Sequence, residues 1–152
     1  MSKPMLFPVP EQDKAAAYAV YRDGMQRVVG QVADWDEAEQ RQRFAECFAR
    51  GTLFWFRRHG QHQALLSLTR EPHGLHLHLI VVLAECRRQG VGRQAMAAVH
   101  ALCRPGQQVT LSCFRHDKAV RAFYAELGYR LREAELHHLQ LEWRECWPEH
   151  LP

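Results

Sequence analysis

The spacing of apolar positions in the first third of the chain predicts one strand and two helices. Residues 5–9 form an apolar run between prolines, which is typical of an edge strand. Across residues 11–29 the apolar positions recur at helical spacing, and Gly30 then provides a stop. A second helix is predicted to begin after Asp34, whose side chain can cap it, and to end at Gly51.

In the middle of the chain the pattern changes to a period of two, which predicts strands. Residues 52–57 and 64–69 are strand-forming runs on either side of a turn at residues 58–61, as in a hairpin. In residues 75–79 leucines alternate with histidines, and a continuous apolar run follows as far as Leu83. We therefore expect a strand that starts half-exposed and ends buried on both faces.

The last part of the chain alternates between helical and strand patterns. Gly128 follows the second helix of this part, at the position where a left-handed residue is expected. The predicted elements, in chain order, are a glycine-containing loop at 87–92, a helix at 91–102, a strand at 109–114, a helix at 118–127, and strands at 129–132 and 136–143. This alternation predicts an α/β (α+β) fold with a mixed, twisted sheet.

Composition limits the class of protein without naming a function. The 152 residues suffice for one domain, 1–152, with a substantial core. The longest apolar stretch, residues 79–84, is far shorter than the roughly 20 residues that a membrane span needs, and no secretory h-region opens the chain. A net charge of +3, evenly spread, does not indicate a nucleic-acid partner. We expect a cytoplasmic protein with neither a membrane nor a nucleic acid as partner.

The cysteines and histidines do not form a metal-site pattern. Five scattered cysteines, an odd number without a C-x-x-C pair, argue against both a disulfide framework and a zinc ribbon. The ten histidines include His59-x-x-His62 and His76-x-His78, and neither pair has the ligand set of a recognised zinc site. We therefore expect reduced thiols and no bound metal.

The loop Arg87-Arg88-Gln89-Gly90-Val91-Gly92 has the composition of an anion-binding turn. Its two glycines leave room for a phosphate to approach backbone N–H groups at the N-terminus of a helix. Arg87, Arg88 and Arg93 add positive charge around the same point. Two other readings are a simple tight turn and a dinucleotide fingerprint. The fingerprint fits poorly, because Ala95 stands where the third glycine belongs.

Two motifs together resemble the GNAT superfamily of N-acyltransferases. The loop matches the signature Gln/Arg-x-x-Gly-x-Gly/Ala, and residues 123–129 (Phe-Tyr-Ala-Glu-Leu-Gly-Tyr) match a second element in which a tyrosine precedes a glycine–aromatic pair. Gly90 and Tyr124 lie 34 positions apart, with a helix and a strand between them. The resemblance is close over residues 75–143. It implies a mostly antiparallel sheet of about six to seven strands, flanked by helices on both faces.

The resemblance also implies acetyl-coenzyme A as acyl donor. In the family this loop holds the pyrophosphate of coenzyme A, and backbone groups of the preceding strand bind its pantetheine and the thioester carbonyl. Asp117 occupies a position where relatives often carry asparagine, although an N-cap role explains it equally. The implied donor-binding residues are Val82, Leu83, Arg87, Arg88, Gln89, Gly90, Val91, Gly92, Arg93 and Asp117. Arg88 departs from the family pattern because it replaces a common glycine.

Tyr124 matches the family's general acid, which protonates the departing thiolate. The base is harder to identify, since many relatives carry a glutamate where this chain has Val81. His78 is the nearest titratable replacement, and His76 points to the same face. A water chain to a more distant carboxylate and a merely polar sheet face remain open alternatives.

The expected activity is transfer of an acetyl group to an amine of a small molecule or a protein. Asp34, Asp36, Glu37 and Glu39 could draw in a cationic amine, or they could serve only as a helix cap and a solvated face. The main alternative is a GNAT-fold module that binds acyl-coenzyme A without turnover. A homodimer is common in relatives, and the strand that follows the last helix is a candidate for its interface.

Overall fold

In the computed structural model, residues 5–29 and 34–147 are described. They form seven strands and four helices. The strands are β1 (Met5–Pro8), β2 (Leu53–Arg58), β3 (Gln61–Glu71), β4 (Gly74–Val82), β5 (Gln108–Phe114), β6 (Arg130–Ala134) and β7 (His138–Arg144). The helices are α1 (Lys14–Val29), α2 (Glu37–Ala49), α3 (Val91–Ala101) and α4 (Lys118–Glu126). Gly30, predicted to end the first helix, lies outside the described residues.

The strands follow the order β1-β2-β3-β4-β5-β7-β6 in a seven-stranded sheet. The pairs β1–β2, β2–β3, β5–β7 and β6–β7 are antiparallel, whereas β4 and β5 run parallel. This confirms the predicted α/β class with a mixed, mostly antiparallel sheet. β1 lies at one edge of the sheet, as its proline-bounded sequence predicts.

Helix α2 begins two residues later than the sequence suggested. Asp36, not Asp34, is its N-cap, with an extended backbone (φ −108°, ψ 103°) and a side chain that accepts the backbone N–H of Glu39 at 3.1 Å. An N-cap must present its carboxylate to the third residue of the helix, and only Asp36 is placed for that. Gly51, after α2, has the left-handed φ of +71° expected at a helix end.

The chain falls into two compact units. The first contains the described residues up to Leu68 together with Leu79–Ala98. Its core is an aromatic and aliphatic cluster in which Tyr18 and Tyr21 of α1 contact Phe44 of α2, with ring centroids 5.2 and 5.5 Å apart. Trp55 completes the cluster, and its indole N–H donates to Asp13 at 3.0 Å.

Val81 belongs to this first unit and packs directly against helix α1. A Cβ atom at Gly24 would lie 2.5 Å from Val81 Cγ1, so only a glycine allows this approach. The structure corrects one prediction for β4: Val81 is buried, but Leu79, Ile80 and Val82 keep partial exposure, so the strand does not end buried on both faces.

The second unit contains Thr69–His78 and the described residues from Val99 onward. Val109 and Leu111 of β5 are buried, while Tyr124 and Tyr129 meet edge to face with ring centroids 5.3 Å apart. His100 stacks on the Trp143 indole at 3.9 Å, and its Nε2 lies 2.8 Å from the Tyr129 hydroxyl. Burial lowers the pKa of His100 to about 4.

We expect His100 to make the stability of the protein depend on pH. Its folded pKa lies below the ordinary value of about 6.5, so the unfolded chain binds the extra proton first. The contribution of His100 is therefore complete above pH 6.5 and is lost as the pH falls toward 4. Denaturant titrations at several pH values should show this slope. His100→Gln should flatten it, and an unchanged slope in that variant would exclude His100 as the cause.

Candidate active site

The turn between β4 and α3 leads directly into the start of a helix. A short 3₁₀ helix, Ala84–Cys86, follows β4, and α3 begins at Val91. The first helical hydrogen bond runs from Gln94 N to Gly90 O at 3.1 Å. The N–H groups of Val91 and Gly92 consequently have no acceptor within the helix, which favours an anion at this end.

Two residues of the loop adopt left-handed backbone conformations. Gly90 has φ +77°, and a Cβ built on it meets no atom within 4 Å, so space remains around it. Arg88 has φ +64°, at the position where the family commonly has glycine. An L-residue in this region is strained by about 1–2 kcal/mol, so the arginine is held there by the surrounding turn.

The charged side chains of the loop differ in their partners. Arg87 donates to Asp23 of α1 at 2.7 Å, a partly exposed ion pair that anchors the loop. Arg88 is exposed, and Gln89 donates through its amide to Glu85 O at 3.2 Å. The loop therefore carries positive charge at the helix N-terminus, although Arg87 is partly neutralised.

The backbone at the end of β4 is only partly available to a ligand. Leu83 N–H donates to Gln63 O at 3.0 Å, so this donor is already used. Successive N–H groups of an extended chain point in opposite directions, so the Val82 N–H points away from β3. Of the two backbone positions expected from the sequence, Leu83 has its N–H bonded to β3, whereas the N–H of Val82 points away from that strand.

In the second unit, the parallel ladder of β4 and β5 is short. Its paired positions run from Gly74–Gln108 to Leu77–Leu111, and His78 is the next residue of β4. His76 and His78 lie on one face, with ring centroids 4.6 Å apart. The sequence-predicted base thus stands at the point where the β4–β5 pairing ends.

Both histidines have hydrogen-bonding partners on this face. His78 Nε2 lies 2.9 Å from Thr69 Oγ1, and His76 Nδ1 lies 2.7 Å from Thr110 Oγ1. Burial lowers the pKa of His76, and the neighbouring His78 lowers it further. His76 is therefore held neutral near pH 7, whereas His78 is exposed.

Tyr124 lies on the other face of the same strands. It is only 5% exposed, and burial raises the pKa of its phenol, with a smaller contribution from Cys113. Cys113 and Thr110 of β5 are an odd number of residues apart, so they point to opposite faces. Tyr124 therefore sits on the Cys113 face and the two histidines on the Thr110 face.

Other residues singled out in the sequence have structural partners. Asp117 caps α4, where its carboxylate accepts Val120 N–H at 3.1 Å. Glu37 accepts hydrogen bonds from Tyr18 and Trp35 and forms ion pairs with Arg22 and Arg41. This network lowers the pKa of Glu37 and neutralises its charge, so Glu37 is poorly suited to attract a cation.

The face of the second unit that carries His76 and His78 is called the histidine face. A cavity of about 430 Å³ opens on this face. Its lining residues are Glu71, His73, His76, Thr110, Arg132, Glu133, Gln140 and Leu141. Sequence reasoning singled out only His76 among them. The histidine alternation signalled this face, but the contributions of Glu71, His73 and Thr110 depend on strand register, which no local pattern reveals.

Residues 5–29 and 34–147 contain no cluster suited to a metal ion. None of their His, Cys, Asp and Glu side chains form a group of three or more able to hold one. In the same described ranges, no helix is both long and apolar enough to cross a bilayer. Burial raises the pKa of the Cys86, Cys103 and Cys113 thiols, as in unreactive core cysteines.

Comparison with known families identifies the class of protein. Residues 17–142 match the family model described as an acetyltransferase (GNAT) domain. The chain therefore belongs to the GNAT family, and its class is that of an acyltransferase. A comparison with curated proteins gives no match.

Solved structures support the same fold at low sequence identity. An acetyltransferase from Thermus thermophilus is 16% identical, with a TM-score of 0.73 and coverage of 94% of this chain and 99% of that one. The PaiA N-acetyltransferase from Thermoplasma acidophilum, in complex with coenzyme A, is 10% identical, with a TM-score of 0.67 and the same coverage. Arabidopsis thaliana Naa50, in complex with the bisubstrate analogue CoA-Ac-MVNAL, is 14% identical, with a TM-score of 0.64 and coverage of 94% and 99%.

We expect Arg88→Gly to stabilise the protein by about 0.5–1 kcal/mol. Glycine removes the left-handed strain at φ +64°, and this gain exceeds the backbone entropy that glycine adds to the unfolded chain. Gly90→Ala is the matched opposite change and should destabilise by about 1 kcal/mol, although its Cβ meets nothing. Urea denaturation measures both. A destabilised Arg88→Gly would show that the side chain contributes more than its backbone costs.

Proposed function

We propose that this protein transfers the acetyl group of acetyl-coenzyme A to an amine of a small molecule or a protein. The observation that carries this proposal is the loop before α3, where first-turn N–H groups and arginines surround a glycine with open space around it. The PaiA and Naa50 structures, which contain coenzyme A and a coenzyme A analogue, support the choice of donor.

The residues of the loop fit a pyrophosphate. The N–H groups of Val91 and Gly92 would hold the phosphate oxygens, because the helix dipole and the open first-turn donors both favour an anion there. Arg88 and Arg93 would add charge, while Gln89 and Gly90 shape the turn. Arg87 would contribute mainly by anchoring the loop to Asp23.

Val82 would supply the backbone group that binds pantetheine or the thioester carbonyl. Its N–H points away from β3, whereas the Leu83 N–H is bonded to Gln63. A backbone donor aimed at the carbonyl oxygen stabilises the charge that develops there as the amine attacks. Asp117 would act on the donor only through the start of α4, which it caps.

Tyr124 would act as the acid of the transfer and His78 as its base. The amine nitrogen attacks the carbonyl carbon, the C–S bond breaks, His78 takes the amine proton, and Tyr124 protonates the departing thiolate. Burial keeps the Tyr124 phenol protonated at neutral pH, as a donor must be.

A second candidate is an acyl-coenzyme A binding module without turnover. The observation that favours it is Val81, which occupies the family's glutamate position and packs against Gly24. Valine carries no titratable group, so position 81 supplies no base. Catalysis therefore depends on the histidine face, and this candidate predicts donor binding that is insensitive to His78 and Tyr124.

Acetyl-coenzyme A should raise the melting temperature, whereas NAD and ATP should not. Binding to the folded state alone stabilises by about 2.7 kcal/mol at 100 times the dissociation constant. Gly92→Glu should abolish the shift, because it places a carboxylate where the pyrophosphate would bind. Ala97→Glu adds the same charge at an exposed position further along α3 and should keep the shift. Equal loss in both variants, or no shift in the wild type, would argue against this donor site.

Tyr124→Phe and His78→Gln should each slow turnover by roughly 10- to 10⁴-fold at saturating donor, the range of acid–base contributions. The melting shift with acetyl-coenzyme A should remain in both variants, because neither residue belongs to the donor loop. An amine panel followed by thiol release measures turnover. Unchanged turnover in either variant would remove that residue from the mechanism, and binding without any turnover would favour the non-catalytic module.

A further inference from the structure

Six side chains on the histidine face are linked in a ring that closes at one carboxylate, Glu71. One arm runs from His78 through Thr69, with Thr69 Oγ1 lying 2.9 Å from His78 Nε2 and 3.2 Å from Glu71 Oε2. The other arm runs from His76 through Thr110 to His73, whose Nδ1 lies 3.9 Å from Glu71 Oε1. The two histidine rings, in edge-to-face contact, close the ring.

The chemistry of the groups sets the direction of the first arm. An ionised carboxylate only accepts hydrogen bonds, so the single hydroxyl proton of Thr69 is donated to Glu71. Thr69 Oγ1 must then accept from His78, which places a proton on His78 Nε2. In the neutral imidazole the lone pair is therefore on Nδ1.

The donor order in the second arm follows from the orientation of His73. When His73 directs its Nδ1–H toward Glu71, the His73 Nε2 atom accepts the Thr110 hydroxyl proton at 3.1 Å. Thr110 Oγ1 then accepts from His76 Nδ1–H at 2.7 Å. In the first arm the donated protons run from His78 through Thr69 to Glu71, so this carboxylate orients the His78 imidazole.

Glu71 also connects the ring to water. Its side chain is 38% exposed and lines the cavity together with His73, His76 and Thr110. The other charged groups in the cavity wall are Arg132 and Glu133 of β6.

We propose that Glu71 is the positioning carboxylate of the acetyl-transfer site and that, through Thr69, it holds His78 in the tautomer whose Nδ1 takes the amine proton. The inference rests on the proposed function for the identity of the reaction. For the tautomer it rests on the hydrogen bonds that Thr69 makes with His78 and Glu71. A base oriented by a third group is the arrangement that activated nucleophile sites share.

The proton balance of this step is complete. His78 Nδ1 gains the amine proton as the C–N bond forms, and the Nε2–H bond to Thr69 is kept throughout, so Glu71 stabilises the imidazolium through Thr69. Because His78 is exposed, Nδ1 then gives the proton to water. This returns His78 to the neutral tautomer with its proton on Nε2, and no other reactant is needed.

Thr69→Val tests the first arm, from His78 through Thr69 to Glu71, because valine has nearly the shape of threonine and lacks the hydroxyl. We expect kcat to fall roughly 10- to 100-fold with KM for donor and amine little changed, a part of what a general base contributes. Thr69→Ser keeps a hydroxyl at the same position and should restore most of the rate. Glu133→Gln removes a carboxylate from the same cavity wall, outside the ring, and should leave kcat unchanged.

Glu71→Gln should move the acidic limb of the kcat/KM profile to lower pH. The negative charge of Glu71 favours protonated His78, and its removal favours the neutral base. A merely structural role for Glu71 would lower the rate without moving this limb. His76, whose ring contacts that of His78, is unchanged in the variant.

The tautomer itself is measured independently of activity. Long-range proton–nitrogen spectra of the uniformly labelled protein, with His78 signals identified from their loss in His78→Gln, should show the proton on Nε2 in the wild type. In Thr69→Val this preference should weaken or reverse, and in Thr69→Ser and Glu133→Gln it should persist. The same spectra show whether each variant is folded.

The kinetic measurements and the proton–nitrogen spectra together distinguish failure of this inference from failure of the proposed function. A wild-type His78 protonated on Nδ1, or a Thr69→Val variant with unaltered tautomer and rate, would overturn the role of Glu71. An Nε2 proton that depends on Thr69, in a protein that acetylates no amine, would support the positioning while contradicting the proposed reaction. A Glu133→Gln effect equal to that of Thr69→Val would also overturn the inference.

Discussion

The parallel pairing of β4 with β5 is the constraint on which the rest of the structure depends. Parallel neighbours cannot be joined by a tight turn, so the chain must cross over between them, and α3 is that crossover. A crossover helix must begin soon after β4 ends, which puts the glycine loop and the first-turn N–H groups there. The position of the glycine loop is thus a consequence of sheet topology, and its glycine and arginine residues are of the types that suit an anion.

The strands of the second unit divide its chemistry between two faces. On one face Tyr124 is buried among Cys113 and other apolar or aromatic groups, which keeps its phenol neutral. On the other face hydroxyl, imidazole and carboxylate groups lie beside a cavity and are linked by hydrogen bonds and by one contact between imidazole rings. Period-two alternation along β4 and β5 produces this division, because neighbouring residues of one strand cannot share a face. The surroundings suit the proposed roles of the two groups, an acid that stays protonated and a base that exchanges protons with water.

The glycine loop combines a strained backbone at Arg88 with an ion pair at Arg87. Arg88 occupies a left-handed conformation that costs about 1–2 kcal/mol, while an exposed ion pair such as Arg87–Asp23 contributes about 1 kcal/mol at most. The ion pair by itself therefore does not compensate for the strain, and the packing of the turn must hold Arg88 in place. A residue that is unfavourable for stability at this position is most simply explained by what its charge does for an anion.

The sequence by itself determined the order of the elements, the glycine loop and the candidate acid and base, because these depend on periodicity and on motifs that are local in the chain. Strand boundaries were predicted to within a few residues, and His76 and His78 were placed on one face by alternation alone. Only the tertiary structure decided that Asp36 caps α2, that Val81 packs on Gly24, and that the Leu83 N–H is already bonded. The ring that closes at Glu71 likewise joins residues from β3, β4 and β5. Such contacts depend on strand register and on which elements meet, and these are set by packing between residues that are distant in the chain.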